Sequence, residues 1–561
     1  MSVCIIPVRH QFDSIKLYMG RLRFALTNIL FWIVLLLSCF LAENYALFSD
    51  APRSGFATFP LYFLTFGIIA LLVFYYILEH IKNNLSFDKI LLPCLIMFGA
   101  IMIWTIFRQG DRTFTNWTNH GTLAISFTFE ERMLASLQVV IWLAVLYAIV
   151  FVYNRFRLNL ESYRWIPKVY LIILIGFVLI DLFYEWDIIA GIFGGTYIGG
   201  GVEFIFGNAN VWALVIFSGI ISALILSYKR FNWYYFATMI CLFCYLILTS
   251  SATAIYISLI VLLAYPLYEI FAPFKKDKKK SLKLLIIYVA VVVSIVGLCA
   301  LFINVGVPIF ANFWKFIDNS ILHKDFLTIT GRTTIWTHII DLLKGNALDF
   351  IFGLGHQTGS RIYQIYNANH MSVKSAHNAV MEVFLRYGLL GVIIYSAMLI
   401  SVFVCLGIHI KRKRYRFAFM YGLAYLAILA HSVAESTNIF TPNVGGVYLG
   451  LFFVLPIVNM LQNKKFAELK GDLSTVKLTK EKVAKPFIYA CALFGVVVII
   501  ICRIIANFVD IDIFSCLLIF ILLTMTAFFV LALTNYKTIN TINNNVTCRY
   551  LKRLEVLKNE K

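Results

Sequence analysis

Five of the ten histidines, His323, His338, His356, His370 and His377, fall in one stretch of about 80 residues, 304–386. Few side chains other than histidine move a proton near neutral pH, so acid–base chemistry in this chain belongs to that stretch. Three short motifs follow one another there: GRTTIW from Gly331 to Trp336, GLGHQTG from Gly353 to Gly359, and AHNAVMEVFLRYGLLG from Ala376 to Gly391. In the last, His377-Asn378 is followed by nine residues and then Gly388 and Gly391. The second has the glycine density of a phosphate loop but lacks its Gly-Lys-Ser/Thr ending. Beyond the stretch, His431 and Glu435 stand four residues apart, a spacing that places them on one face of a helix. Each residue also has a plain structural use: Arg332 as a helix cap or a charge reaching toward headgroups, His377 as a hydrogen-bonded structural histidine.

The elements that must position these residues follow from composition. Of 561 residues, 61% are hydrophobic, 16% aromatic and 14% charged, and the mean hydropathy is +0.85. Soluble domains are about 45–50% apolar and about 25% charged. A soluble enzyme, a disordered chain and a fibrous protein are therefore excluded, and the chain reads as an all-α polytopic membrane protein. A spanning helix needs about 20 mostly apolar residues. Runs of that kind, from 24–42 to 513–533, number about 14, with 12 to 14 as the range. The segment before the first run carries four basic residues and no small-residue cleavage site, so no cleavable signal is expected.

Net charge is +20, and its placement matters more than its sum. Alternating the spans puts 36 of the 48 lysines and arginines on one side, which makes that side, with both termini, cytoplasmic. The runs Lys275 to Lys283 and Lys411 to Arg416 then read as topology anchors near anionic lipid, not as nucleic-acid sites. The expected organisation is nine spans over 1–303, a large external loop with short helices over 304–386, spans ten to twelve over 387–460, a basic cytoplasmic linker over 461–485, and a further hairpin with a basic tail over 486–561. Cys241 and Cys244 have a CxxC spacing but lie in an apolar run, so packing is the expectation. The glycines from Gly191 to Gly201 suggest a mobile lid or re-entrant turn.

Taken in order on one external loop, the three motifs resemble the O-antigen ligase and polymerase superfamily. His377-Asn378 with Gly388 and Gly391 is similar to its His-Asn and Gly-x-x-Gly signature, Arg332 to its Gly-Arg, and FGNANVWA (Phe206 to Ala213) to its Asn-Pro-Asn segment, with Ala209 in place of proline. The arginines that relatives often carry before that segment and in a later Ser-Arg pair are replaced here by GGGVEFIFGNAN and TSSATA. The resemblance implies a glycosyltransferase of the bacterial cytoplasmic membrane that needs no metal, nucleotide or other cofactor. Its donor would be an undecaprenyl-diphosphate-linked oligosaccharide, its acceptor a glycan or lipid, and its partners a flippase and a chain-length regulator. It implies His377 as general base and Arg332 as the donor of hydrogen bonds to the leaving diphosphate. Arg361, Lys374, Trp336, Asn378, His431, Glu435 and Asn210 are the candidates for substrate binding.

Direct displacement would invert the anomeric carbon. A double displacement would need a carboxylate nucleophile, for which Glu382 and Glu435 are the candidates. A polymerase of repeat units is the leading reading. A ligase that moves finished polysaccharide to lipid A core or another surface acceptor is the alternative, and a transporter or flippase is the reading from another class.

Overall fold

The computed structural model describes residues 91–108, 112–114, 123–126, 165–197, 200–204, 208–228, 231–272, 277–322, 332–355 and 375–435. All belong to one compact unit, Leu37–Thr479. The apolar runs at 24–42, 59–78, 133–153, 443–460, 486–506 and 513–533 lie outside the described residues, as do Arg361 and Lys374. Among the described residues the chain is helical, with one departure from the all-α expectation. Arg112–Phe114 (β1) and Leu123–Ile125 (β2) pair as a short antiparallel ribbon.

Helix α1 is Leu91–Arg108, α2 Trp165–Tyr184, α3 Trp186–Gly194, α4 Ala209–Leu226, α5 Trp233–Leu248, α6 Ala252–Phe271 and α7 Lys278–Asn304. Helix α8 is Pro308–Ile317, continued by a π-helical turn at Asp318–Leu322; α9 is Arg332–Lys344, α10 Ala347–Phe352, α11 Ala379–Lys411 and α12 Tyr415–Ala434. Five of these, α4, α6, α7, α11 and α12, are long and apolar enough to cross a membrane. Two of them show why the solvent must be lipid. Helix α4 is buried at every residue from Trp212 to Leu226, so it is a central helix. Helix α7 is as apolar but buries only Ser281, leaving Ile286, Val293, Val296 and Leu301 bare. An apolar surface of that extent is stable against acyl chains and not against water.

Polar contacts lock the central helices. Asp181 of α2, fully buried, accepts hydrogen bonds from the Trp212 indole of α4 at 2.7 Å and from the Tyr245 hydroxyl of α5. At the opposite end, Arg416 of α12 pairs with Glu269 of α6 and reaches the Ser227 carbonyl just after α4. Between α5 and α6 only Thr249–Ser251 intervene, and Ser250 takes φ +54° to close the turn. Cys241 and Cys244 are exposed on α5; the packing expected of them falls to Leu242, Tyr245 and Leu246.

In the glycine-rich segment, read from the sequence as a lid or re-entrant turn, the described residues make specific contacts. Residues 186–194 form α3, Gly195 ends it in the left-handed conformation, and a Cβ on Gly201 would fall 2.1 Å from the Thr249 carbonyl. Glu185 accepts the backbone N–H groups of Glu203 and Phe204 at 3.1 and 2.9 Å. Burial pushes its carboxyl above the usual range, and those two bonds oppose the rise. Gly201 thus permits a close approach of two backbones.

Candidate active site

Three helix ends meet at the residues singled out by their spacing. Arg332 is the first residue of α9, His377 precedes the cap of α11, and Glu435 follows the last residue of α12. Helix ends are natural places for such groups, because they leave main-chain donors and acceptors that side chains must satisfy. Asn378 is the N-cap of α11: its side-chain oxygen accepts from the Val380 and Met381 N–H groups at 2.9 and 3.0 Å. Its amide donates to the Val433 carbonyl at 3.0 Å, tying the start of α11 to the end of α12.

Glu435 is the centre of the group. One carboxylate oxygen meets Arg332 Nη2 at 3.0 Å and the other meets His377 Nδ1 at 3.1 Å. Arg332 Nη1 donates to the Ala434 carbonyl, so the guanidinium bridges α9 to the last turn of α12. Burial pushes the Glu435 carboxyl up, but its hydrogen bond with His377 and the positive charges beside it outweigh that and hold it below the usual carboxylate range. The His377 side chain is about a quarter exposed, at 26%, and its Nε2 has no hydrogen-bond partner among the described residues. The imidazole is thus anchored through Nδ1 and open at Nε2. That is the arrangement a general base needs, with an orienting carboxylate behind it.

The segment that carries His377 is fixed on both sides. The Trp336 indole donates to the Ala376 carbonyl at 2.9 Å, and the Ala376 N–H donates to Glu382 at 3.0 Å. The other Glu382 oxygen accepts from Arg386 Nε at 2.6 Å. Both oxygens are thereby engaged, and with 1% exposure Glu382 has no open face from which to attack a substrate. Trp336 also packs beside Ile335, Ile339, Leu343, Leu354 and Leu385, a small core belonging to the loop helices.

Gly388 explains the Gly-x-x-Gly. It breaks α11 with φ +67° and ψ −166°, and a Cβ there would lie 2.4 Å from the Ile351 carbonyl and the Gly353 nitrogen. The Gly353–Gly355 segment of the second motif lies in that gap and donates to the Leu385 and Arg386 carbonyls at 2.9 and 3.1 Å. This stretch is a cap for the first segment of α11, which agrees with its missing phosphate-loop ending.

Other sequence candidates fall elsewhere. His431 is fully buried and stacks on Phe217 of α4, ring centroids 5.1 Å apart. Its carbonyl accepts the Glu435 N–H at 2.9 Å, so Glu435 closes the last turn of α12, but Glu435 is itself extended, φ −139° and ψ 155°, and its carboxylate reaches Arg332 and His377. Asn210 lies in the first turn of α4, where Asn208 is the N-cap and accepts the Asn210 N–H at 2.9 Å. Ala209 takes the first helical position, the one that tolerates the proline of the related motif. Asn378 and Trp336 both spend polar groups on the frame. His338 lies on α9, and His323, His356 and His370 are outside the described residues. The Glu382–Arg386 pair was not foreseen, although its i,i+4 spacing was a readable signal. Arg108 was missed too; it pairs with Asp349 of α10 and donates to the Gly353 carbonyl at 3.0 Å.

Residues 237–396 match the family described as O-antigen ligase. That segment runs from α5 into α11 and contains Arg332, Trp336, His377, Asn378, Gly388 and Gly391, while Asn210, His431 and Glu435 fall outside it. No curated protein matches the chain. Over residues 237–396 the chain is similar to the O-antigen ligase family, and this supports the resemblance to the O-antigen ligase and polymerase superfamily that its motifs carry.

Proposed function

We propose that this membrane protein is a glycosyltransferase that moves a glycan from a polyprenyl diphosphate carrier to an acceptor hydroxyl on the outer face of the bacterial cytoplasmic membrane, and that it acts as a polymerase of lipid-linked repeat units. The observation that carries the reading is the His377–Glu435–Arg332 group, in which an anchored imidazole keeps one nitrogen open. In this reading Nδ1 carries the proton shared with Glu435, and Nε2 takes the proton from the acceptor hydroxyl. The acceptor oxygen forms a bond to the anomeric carbon as the bond from that carbon to the carrier phosphate breaks, and the diphosphate departs with the electron pair. Arg332 supplies positive charge beside the base, and the N–H groups not spent on Glu435 and Ala434 remain for the leaving phosphate. A single displacement with inversion is favoured because Glu382 is committed to Ala376 and Arg386, and Glu435 to Arg332 and His377.

The test is a gel of surface and carrier-linked polysaccharide from a deletion strain complemented with wild type, Arg332→Ala or His377→Ala. A polymerase deletion leaves single repeat units on the acceptor and no ladder, and loss of a general base lowers the rate by about 10²–10⁴-fold, so neither variant restores it. The matched family, O-antigen ligase, favours a second reading, in which long chains accumulate on the carrier while the acceptor stays bare. Restoration of the wild-type pattern by both variants at normal abundance would sink the site under either name.

A further inference from the structure

Resting on the reading of His377 as the base, we propose that Glu382 is a positioning residue: its buried carboxylate, acting with the Trp336 indole, grips the peptide of Ala376 and so sets the direction of the adjacent imidazole.

His377 has φ +47°, in the left-handed region that side-chain-bearing residues rarely occupy. Such a conformation persists only when the surroundings over-determine it. The surroundings here are three separate elements. Ala376 is held at its carbonyl by Trp336 of α9 and at its N–H by Glu382 of α11, while Asn378 is held by the Val433 carbonyl of α12. Ala376 is itself fully buried, so water cannot replace either bond. Of these three grips, that of Glu382 is the one made by a charged group with 1% exposure. A buried carboxylate is costly unless its oxygens are satisfied, and Arg386 and Ala376 each donate to a different one of them.

The chemistry of the side chain makes the proposal testable. A glutamine at 382 has one accepting oxygen for two donors. The charge-assisted bond from Arg386 is the stronger of the two, so Ala376 loses its acceptor and faces an amide N–H. Removing Arg386 as well returns the carbonyl to Ala376 without leaving a buried charge. A misplacement of the reacting group by about 1 Å costs up to about a hundredfold in rate.

The experiment measures chain extension in membrane vesicles that carry the producing strain's own lipid-linked donor, with membrane abundance matched. Glu382→Gln should lower turnover about ten- to a hundredfold with the apparent donor KM unchanged. Glu382→Gln with Arg386→Met should recover turnover to within about threefold of wild type. Wild-type turnover in Glu382→Gln, or a double variant no faster than the single one, overturns the proposal. Should Glu382→Gln fail to accumulate in the membrane, Trp336→Phe decides, since it removes the other grip on Ala376 and keeps an aromatic ring. A lower turnover at constant KM supports the clamp, whereas unchanged turnover or a change in KM alone overturns it. His377→Ala separates the two levels of the argument. Full activity in that variant defeats the base assignment itself, whereas an inactive His377→Ala beside a normal Glu382→Gln defeats only the clamp.

Discussion

Glu435 stands between a guanidinium and an imidazole, and each contact uses a different oxygen. A carboxylate so placed does two things at once: it fixes which ring nitrogen of His377 carries the proton, and it stabilises the imidazolium formed when Nε2 accepts one. Glu435→Gln preserves shape and removes charge. Its extension rate should fall about ten- to a hundredfold, measured in vesicles at matched abundance, with the donor KM unchanged; a normal rate would show that the charge is not used. The same group predicts a stability effect. The folded pKa of Glu435 lies below its ordinary value of 4.5, so its stabilisation is fully present above that value and is lost as pH falls through the folded pKa. Wild type should therefore lose more melting temperature than Glu435→Gln on acidification below about pH 4.5, as followed by thermal melts in detergent.

At the scale of elements, the kink in α11 is what lets one helix serve two purposes. The segment before Gly388 presents the capped end beside His377, and the segment after it continues as an apolar helix to Lys411. The break also frees the Leu385 and Arg386 carbonyls, and the Leu354 and Gly355 N–H groups bond to them. An alanine at Gly388 would have to adopt a backbone region that is nearly glycine-only and would meet backbone atoms at 2.4 Å. Gly388→Ala should cost about 3 kcal/mol or more, read as a lower melting temperature and reduced membrane abundance. Gly297, on bare α7, has nothing within 4 Å of an added Cβ, and Gly297→Ala should be neutral or stabilise by up to about 1 kcal/mol. Equal effects at the two positions would mean that the contact with Gly353 is unimportant.

For the whole molecule, the question is which end of the bundle faces out. The basic residues from Lys278 to Lys283 and from Lys411 to Arg416 sit at the ends of α7 and α11 that lie away from Asn304 and from Asn378. By the positive-inside rule we propose that Arg332, His377 and Glu435 lie outside. Single cysteines in a cysteine-free background test this: Thr337→Cys should react with an impermeant maleimide on intact cells, and Lys279→Cys only after permeabilisation. The reverse pattern would place the site in the cytoplasm and remove a flipped lipid-linked glycan as its donor. Charge bias and membrane insertion operate on the chain as a whole, so no local contact substitutes for this measurement.

How much was legible in advance depended on the range of the force involved. Hydropathy is a property of short stretches and charge bias a count taken along the chain, and the residue order by itself determined both. So did the selection of His377 and Arg332, since their motif spacing is local. Contacts between distant residues were another matter. Glu435 lies 58 residues from His377 and 103 from Arg332, and it joins them only because α12 stops one residue earlier and turns its C-cap extended. The i,i+4 spacing put Glu435 beside His431, and the Glu435 N–H does meet the His431 carbonyl at 2.9 Å, but the carboxylate turns to Arg332 and His377 while the His431 ring packs on Phe217. Glu382, a nucleophile candidate only by type, is buried with one oxygen on Ala376 and the other on Arg386. Residue type and spacing determined that a proton-transfer site could exist on this loop; the meeting of three helix ends decided which carboxylate faces the histidine, because that depends on how the helices pack and not on any period along the chain.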